Sequence, residues 1–277
     1  MQNEGNVDEI SYRVGQRYLT VVVDHDTGRL VWVAPGRDRA TVQRFLDELG
    51  RERCEKIRLV SCDMAEWIAG PVAERCPNAI RCVDPYHVVA LATDALDVVR
   101  REIWNEARKA GQSQLARELK GARYALWKNP GNLTDRQQLK LARIQALNQR
   151  LYRAYLLCQQ LREIYRVPFA DALILLDAWL KWARRSRLPA FVKVARTITA
   201  QQAGIQAALA HGLSNARVEQ INGQIRLIAR RAYGFHSAPA LIALAMLTLA
   251  GLLDRAGFDG DRVCWCGGTV GGSVDTI

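Results

Sequence analysis

The sequence predicts an α/β fold, a mixed sheet flanked by helices and interrupted by an all-helical insertion. Three observations carry this. Residues 7 to 34 alternate apolar and polar side chains with the period of strands. From there to about residue 90, short apolar runs alternate with helix-like segments. From about 94 to 205 the pattern is long helix, rich in Leu, Ala, Arg and Gln, with no convincing strand.

The elements follow in order. "VDEISYRVG", "QRYLTVVVDH" and "RLVWVAP" read as three consecutive antiparallel strands, and "DHDTG" between the last two suits a hairpin turn. Asp24 and Asp26 are then turn formers rather than ligands. "RDRATVQRFLDELG" places Val42, Phe45, Leu46 and Leu49 at helical spacing and stops at Gly50. "KIRLVSCDM" is a short strand that breaks at Asp63, "AEWIAGPVAERC" a helix, and "AIRCVDPYHVV" a second short apolar run. The long helices beyond are interrupted by "KNPGNLTDRQ", Pro168 and Pro189, and Trp104, Trp127, Trp179 and Trp182 are expected to pack between them. "SAPALIALAMLTLAGLLDRAG" suits a buried helix better than a membrane span. The expected division is 1–95 and 206–255 for the sheet-bearing part, 96–205 for the helical insertion, and 256–277 for a disordered Gly-rich tail.

With 277 residues, 49% hydrophobic and 24% charged, the chain can bury a substantial core. No run of eighteen uncharged apolar residues occurs, and the polar "QNEGNVDE" after Met1 does not read as a secretion signal. Seven scattered cysteines do not make a disulfide framework and fit a reducing cytoplasm. The lone Cys264 and Cys266 pair in "CWCGG" is too weak a pattern for zinc. Residues 100–235 hold 25 Lys and Arg against 8 Asp and Glu, a net +17, whereas the remainder is −6. A polyanion such as nucleic acid suits the first part, and cations suit the second.

Three carboxylates stand out by position: Asp8 on the first strand, Asp63 where the fourth ends, and Glu219 on a basic helix far downstream. Each alone reads better as an ordinary cap or strand-end residue than as a ligand. Together they suit a site for two divalent cations, which needs converging carboxylates. Asn222, Arg226 and Arg230 follow Glu219 at i+3, i+7 and i+11, near one helix face, so a carboxylate could hold metal while arginines take phosphates. An amphipathic helix whose Glu219 pairs with a neighbouring Arg fits the same pattern.

In this order, "VDEISYRVGQRYLTVVVDHDTGRLVWV", "VSCDMAEWIAG", "CVDPYHVV" and "SNARVEQINGQIRLIARRAYGF" resemble the DDE-type transposases of bacterial insertion sequences, the ISL-three family, over about residues 6 to 250. The resemblance implies an RNase H-like catalytic core interrupted by a helical insertion, cutting DNA at transposon ends and joining it to target DNA with two Mg²⁺ or Mn²⁺ ions. Carried over, the catalytic and metal-holding triad is Asp8, Asp63 and Glu219, with Asp63 preferred over Asp84 as the second member. Asp84, His87 and Asn222 become accessory residues, and Arg217, Arg226, Arg230 and Arg231 contact DNA. The resemblance also implies a homodimer on paired ends and a cytoplasmic, nucleoid-associated bacterial protein. Family members carry a zinc-binding region and a helix-turn-helix before the core, whereas seven residues precede Asp8 here, which implies a truncated reading frame or a fragment. Two other readings remain open: a catalytically silent DNA-binding remnant, and a nuclease on the same fold that cuts without joining.

Overall fold

The computed structural model describes residues 18–232, 235, 237–250 and 262–268, with only the backbone at 262 and 264–268. The expected first strand with Asp8 lies outside the described residues, as do His236 and residues 256–261 and 269–277 of the expected tail. The described residues form two compact units, one built from those up to Asp84 together with those from His211, the other from Pro85–Ala210.

The first unit is α/β. Its leading strands, β1 (Leu19–Asp24) and β2 (Leu30–Pro35), pair antiparallel. The turn between them is built by Asp24, whose carboxylate accepts from the Asp26 amide at 2.9 Å and from the Thr27 hydroxyl, as its turn-forming sequence requires. Helix α1 (Arg39–Leu49) starts at Asp38, whose side chain accepts from the Thr41 amide, and stops at Gly50 with φ 82°. A short α2 (Arg51–Lys56) leads into β3 (Leu59–Cys62). Helix α3 (Glu66–Arg75) then crosses to β4 (Ile80–Val83), which pairs parallel with β3.

The second unit is all-helical. Helix α4 (Pro85–Lys109) opens it, followed by α5 (Ser113–Lys120), α6 (Arg123–Trp127), a 3-10 turn Pro130–Asn132, α7 (Asp135–Leu147), α8 (Gln149–Glu163), α9 (Phe169–Arg185), α10 (Pro189–Ala200) and α11 (Gln202–His211). The boundary falls at Asp84/Pro85 rather than at 95, because α4 is one continuous 25-residue helix beginning at a proline that suits a first turn. Thr134 and Gln137 form the capping box that starts α7. Of the tryptophans expected to pack between helices, Trp179 is fully buried and donates from Nε1 to the Leu157 carbonyl at 2.8 Å. Trp104 and Trp127 are half-buried instead, lying under the guanidinium groups of Arg108 and Arg123.

The chain then returns to the first unit with α12 (Ala216–Arg231), α13 (Ala238–Leu249) and β5 (Arg262–Gly268). The expectation of a loose tail over 256–277 fails at β5, which sits inside a five-stranded sheet of order β2-β1-β5-β3-β4. It runs antiparallel to β1 and parallel to β3. A strand there satisfies the backbone groups of both neighbours, which outweighs the poor strand propensity of its glycines. Val22, Val60, Cys62 and Val263 form one buried cluster with Val42, Phe45, Leu46, Ile68 and Val72 of α1 and α3. On the opposite face, α12 packs on β1 and β5, and α13 on β2. Covered on both sides, β3 is buried along its whole length. No helix among the described residues is long and apolar enough to cross a membrane.

Candidate active site at two strand ends

Two aspartates stand one residue beyond the parallel pair β3 and β4. The ladder pairs Ser61 with Cys82 and Cys62 with Val83, and the Asp84 amide extends it by donating to the Cys62 carbonyl at 3.0 Å. Val60 and Cys62 face α1 and α3, so alternation directs Ser61, and the positions of Asp63 and Asp84 after it, toward the α12 side.

Their surroundings differ. Asp84 is 1% exposed, and its Oδ1 accepts from the Asn215 amide at 3.1 Å. Asp63 is half-buried, and its Oδ1 accepts from the Ala65 amide at 2.8 Å, closing a tight turn into α3. Burial lowers the pKa of the Arg37 guanidinium, while the negative charge of Asp63 acts to raise it. Arg37 also lies over the Tyr18 ring, 5.5 Å from its centroid.

Asn215 occupies the N-cap position of α12, but its side chain does not cap the helix. Its Oδ1 accepts from the Ser61 hydroxyl at 2.7 Å, and all three residues of the Ser61, Asn215 and Asp84 network are buried. The start of α12 is thereby tied to both β3 and β4. One turn on, the Glu219 amide donates to the Asn215 carbonyl at 2.9 Å, and the Glu219 side chain is exposed. An acidic residue in a first turn also faces the positive end of the helix dipole.

The stripe expected along α12 is divided. Val218, Ile221, Asn222 and Ile225 are its buried residues, so Asn222 belongs to the face against the sheet. Glu219, Arg226 and Arg230 flank that face, with Glu219 and Arg230 exposed and Arg226 half-buried. The Asn222 Oδ1 is buried and has no hydrogen-bond donor among the described residues. Arg217 is exposed but tethered, its Nη1 donating to the Asp26 carbonyl at 2.8 Å in the β1–β2 turn. A Cβ on Gly28, which has φ +70°, would stand 3.3 Å from that same nitrogen. Arg231 ends the helix, exposed. His87 belongs to the helical unit, in the first turn of α4, edge-on to Tyr86.

Sequence reasoning missed Arg37, Ser61 and the tertiary role of Asn215. The only signal for Asn215 was its place just before a helix, which suggests a cap and not a bond to a strand 154 residues away. For a divalent cation the donor chemistry fits: Asp63 and Glu219 are accessible hard-oxygen donors, and the oxygen of Asn222, three residues after Glu219, lacks a donor among the described residues. Among the described residues no three His, Cys, Asp or Glu stand together as a metal site, and Asp8, the third expected carboxylate, is not among them.

Comparison with known proteins identifies the family. A family model described as transposase, of the DDE type of the ISL3 (ISL-three) group, matches residues 6–245. The transposase for insertion sequence element IS1557 of Mycobacterium tuberculosis is 53% identical over 264 residues, covering 88% of this chain and 60% of that protein. The transposase for IS1001 of Bordetella parapertussis is 32% identical over 232 residues, covering 83% of this chain and 56% of the relative. The chain thus spans well under two thirds of the length of either relative. No solved structure matches.

Proposed function

The chain belongs to the ISL3 family of transposases, and from that premise we propose that it cuts double-stranded DNA at transposon ends and joins the cut strand to target DNA. The core is RNase H-like in this reading, with the helical unit inserted between its β4 and α12. Water attacks the phosphorus at the element's end and the 3′-oxygen leaves. The freed 3′-hydroxyl then attacks a target phosphorus and displaces a strand there.

Asp8, Asp63 and Glu219 would hold two Mg²⁺ or Mn²⁺ ions. When bound, such a pair activates a nucleophile and stabilises the leaving oxygen. Asp63 presents an accessible carboxylate at the end of β3. Asp84 and Ser61 grip Asn215 and so hold the first turn of α12, where Glu219 stands. Arg226, Arg230 and Arg231 continue along the helix to take phosphates. Arg37 adds a cation that senses Asp63. The partners are duplex DNA and a second copy of the chain on paired ends, in the bacterial nucleoid.

The observation that carries the reading is the tie between Asn215 and the two strand ends, because it brings the Glu219 helix to the strands that end in Asp63 and Asp84. The test is a nicking assay on supercoiled and linear duplex with Mg²⁺ or Mn²⁺. The intact chain should nick and Glu219→Gln should not. Joined products would exclude a nuclease that only cuts.

One observation favours a second reading, a catalytically silent DNA-binding protein. Both sheet positions beside β3 are filled by β4 and β5, and β5 lies outside the matched residues 6–245. Neither neighbour carries Asp8. Duplex binding without nicking in the intact chain, with nicking gained on removal of residues 256–277, would identify β5 as the reason for silence.

A further inference from the structure

Between Asp177 and Glu219 the sequence contains no Asp or Glu, yet within the helical unit that stretch holds Lys181, Arg184, Arg185, Arg187, Lys193 and Arg196. Lys181 is neutralised by Asp177. The other five are exposed, and none pairs with a carboxylate among the described residues. Arg153 of α8 joins them by donating to the Ser186 carbonyl at 3.1 Å, a neutral acceptor that leaves its charge uncompensated. Arg184 donates to the Thr199 hydroxyl of α10 at 2.8 Å, with the same result.

The α9–α10 elbow, which carries Arg184, Arg185 and Arg187 and receives Arg153, is pinned by hydrogen bonds. The buried Ser186 hydroxyl donates to the Ala183 carbonyl and accepts from the Leu188 amide, clamping both sides of the turn. Between them Arg187 has φ 58°, the only left-handed non-glycine backbone among the described residues. Glycine adopts that conformation without penalty and arginine does not. A strained residue persists where its surroundings over-determine it, and such residues cluster at binding sites. Here the position best suited to glycine carries one more exposed cation.

We propose that this elbow, built from Arg153, Arg184, Arg185 and Arg187 with Arg196 on α10, is a docking surface for the phosphate backbone of duplex DNA, read without regard to sequence. Concentrated, uncompensated guanidinium groups on a pinned turn complement phosphates at fixed spacing, and each phosphate neutralised releases condensed counterions. The proposal rests on the reading that the chain acts on duplex DNA and extends it to a surface distinct from the Glu219 helix.

The test measures binding of the full chain to two unrelated 30-base-pair duplexes across a salt titration, for the intact chain, Arg185→Gly/Arg187→Gly and, as control, Arg143→Ala, whose ion pair with Glu118 already offsets its charge. Thermal midpoints are followed in parallel, and Arg187→Gly relieves backbone strain, so folding should survive. Loss of two phosphate contacts lowers the slope of log K against log salt by about 1.8, equally on both duplexes, while Arg143→Ala leaves it unchanged. An unchanged slope in the double variant overturns the elbow but leaves the DNA reading standing. Loss on one duplex alone would mean that sequence is read and would overturn the proposal as stated. Absence of duplex binding by the intact chain overturns both.

Discussion

The ends of β3 and β4 lie side by side in the same sheet and both finish in aspartate, yet the two carboxylates have opposite surroundings. Asp84 is sealed in and holds a backbone amide of the helix start, whereas Asp63 stays half-open with a cation sensing it. The lesson is that a carboxylate's position at a strand end does not decide its task; what covers it does. A group already engaged by a buried amide is suited to holding structure, and an accessible one to holding a ligand.

The largest effect that would sharpen this contrast is on activity. Asp63→Asn keeps an oxygen for the Ala65 amide, so its thermal midpoint should stay near that of the intact chain. Its metal-dependent nicking should fall on the order of 100-fold or more, beyond the 10–100-fold typical of groups that only support a metal ligand. If Asp84→Asn loses metal binding in calorimetry and Asp63→Asn keeps it, the two roles are exchanged.

Next comes stability. Asp84→Ala strands the Asn215 amide in a buried site and should cost about 2–3 kcal/mol, a fall of roughly 4–12 °C in thermal midpoint for a chain of this size. Asn215→Ala should follow it, because the Ser61 hydroxyl then loses its acceptor. A midpoint unmoved by Asp84→Ala would break the comparison.

A smaller effect tests the orphaned oxygen on α12. Asn222→Leu removes a buried acceptor without a donor and should leave stability unchanged or raise it by up to about 1 kcal/mol. If nicking falls in the same variant, the oxygen serves the site; if both are unchanged, it is only a tolerated imperfection in the packing against the sheet.

The smallest effect concerns alkaline pH. Burial pushes the thiols of Cys62 and Cys76 up to about 12 and that of Cys82 to about 11, from an ordinary 9.0. The folded form keeps these protons after the unfolded chain has lost them. Their contribution to stability is therefore complete below pH 9 and is lost as pH rises from 9 toward 12. Denaturant midpoints measured across that window should decline, and less steeply in Cys62→Ala.

Much of the α/β part was legible because its signals are local. The Asp24 turn, the Gly50 stop and the break at Asp63 each depend on a few neighbouring residues, and the structure has all three. Asp63, Asp84 and Glu219 could be singled out from the same local patterns, since strand ends and first helical turns are readable from periodicity. The helical unit begins eleven residues earlier than composition suggests, because composition changes gradually along α4, whereas the chain leaves the sheet at once at Pro85. The strand at Arg262–Gly268 was hidden because its glycine-rich sequence gives weak local preference, and only the partners on either side make it a strand.

Residue type and spacing along the chain are enough for the alternation of strand and helix from β1 to β4, for the concentration of positive charge after residue 100, and for the family. Which aspartate is sealed and which is open, that Asn215 holds Ser61 and Asp84 rather than capping its own helix, and that Asn222 faces the sheet come from the three-dimensional packing. Those outcomes depend on burial and on hydrogen bonds between residues more than a hundred positions apart, and such partners are chosen by packing in three dimensions rather than by neighbours in the chain.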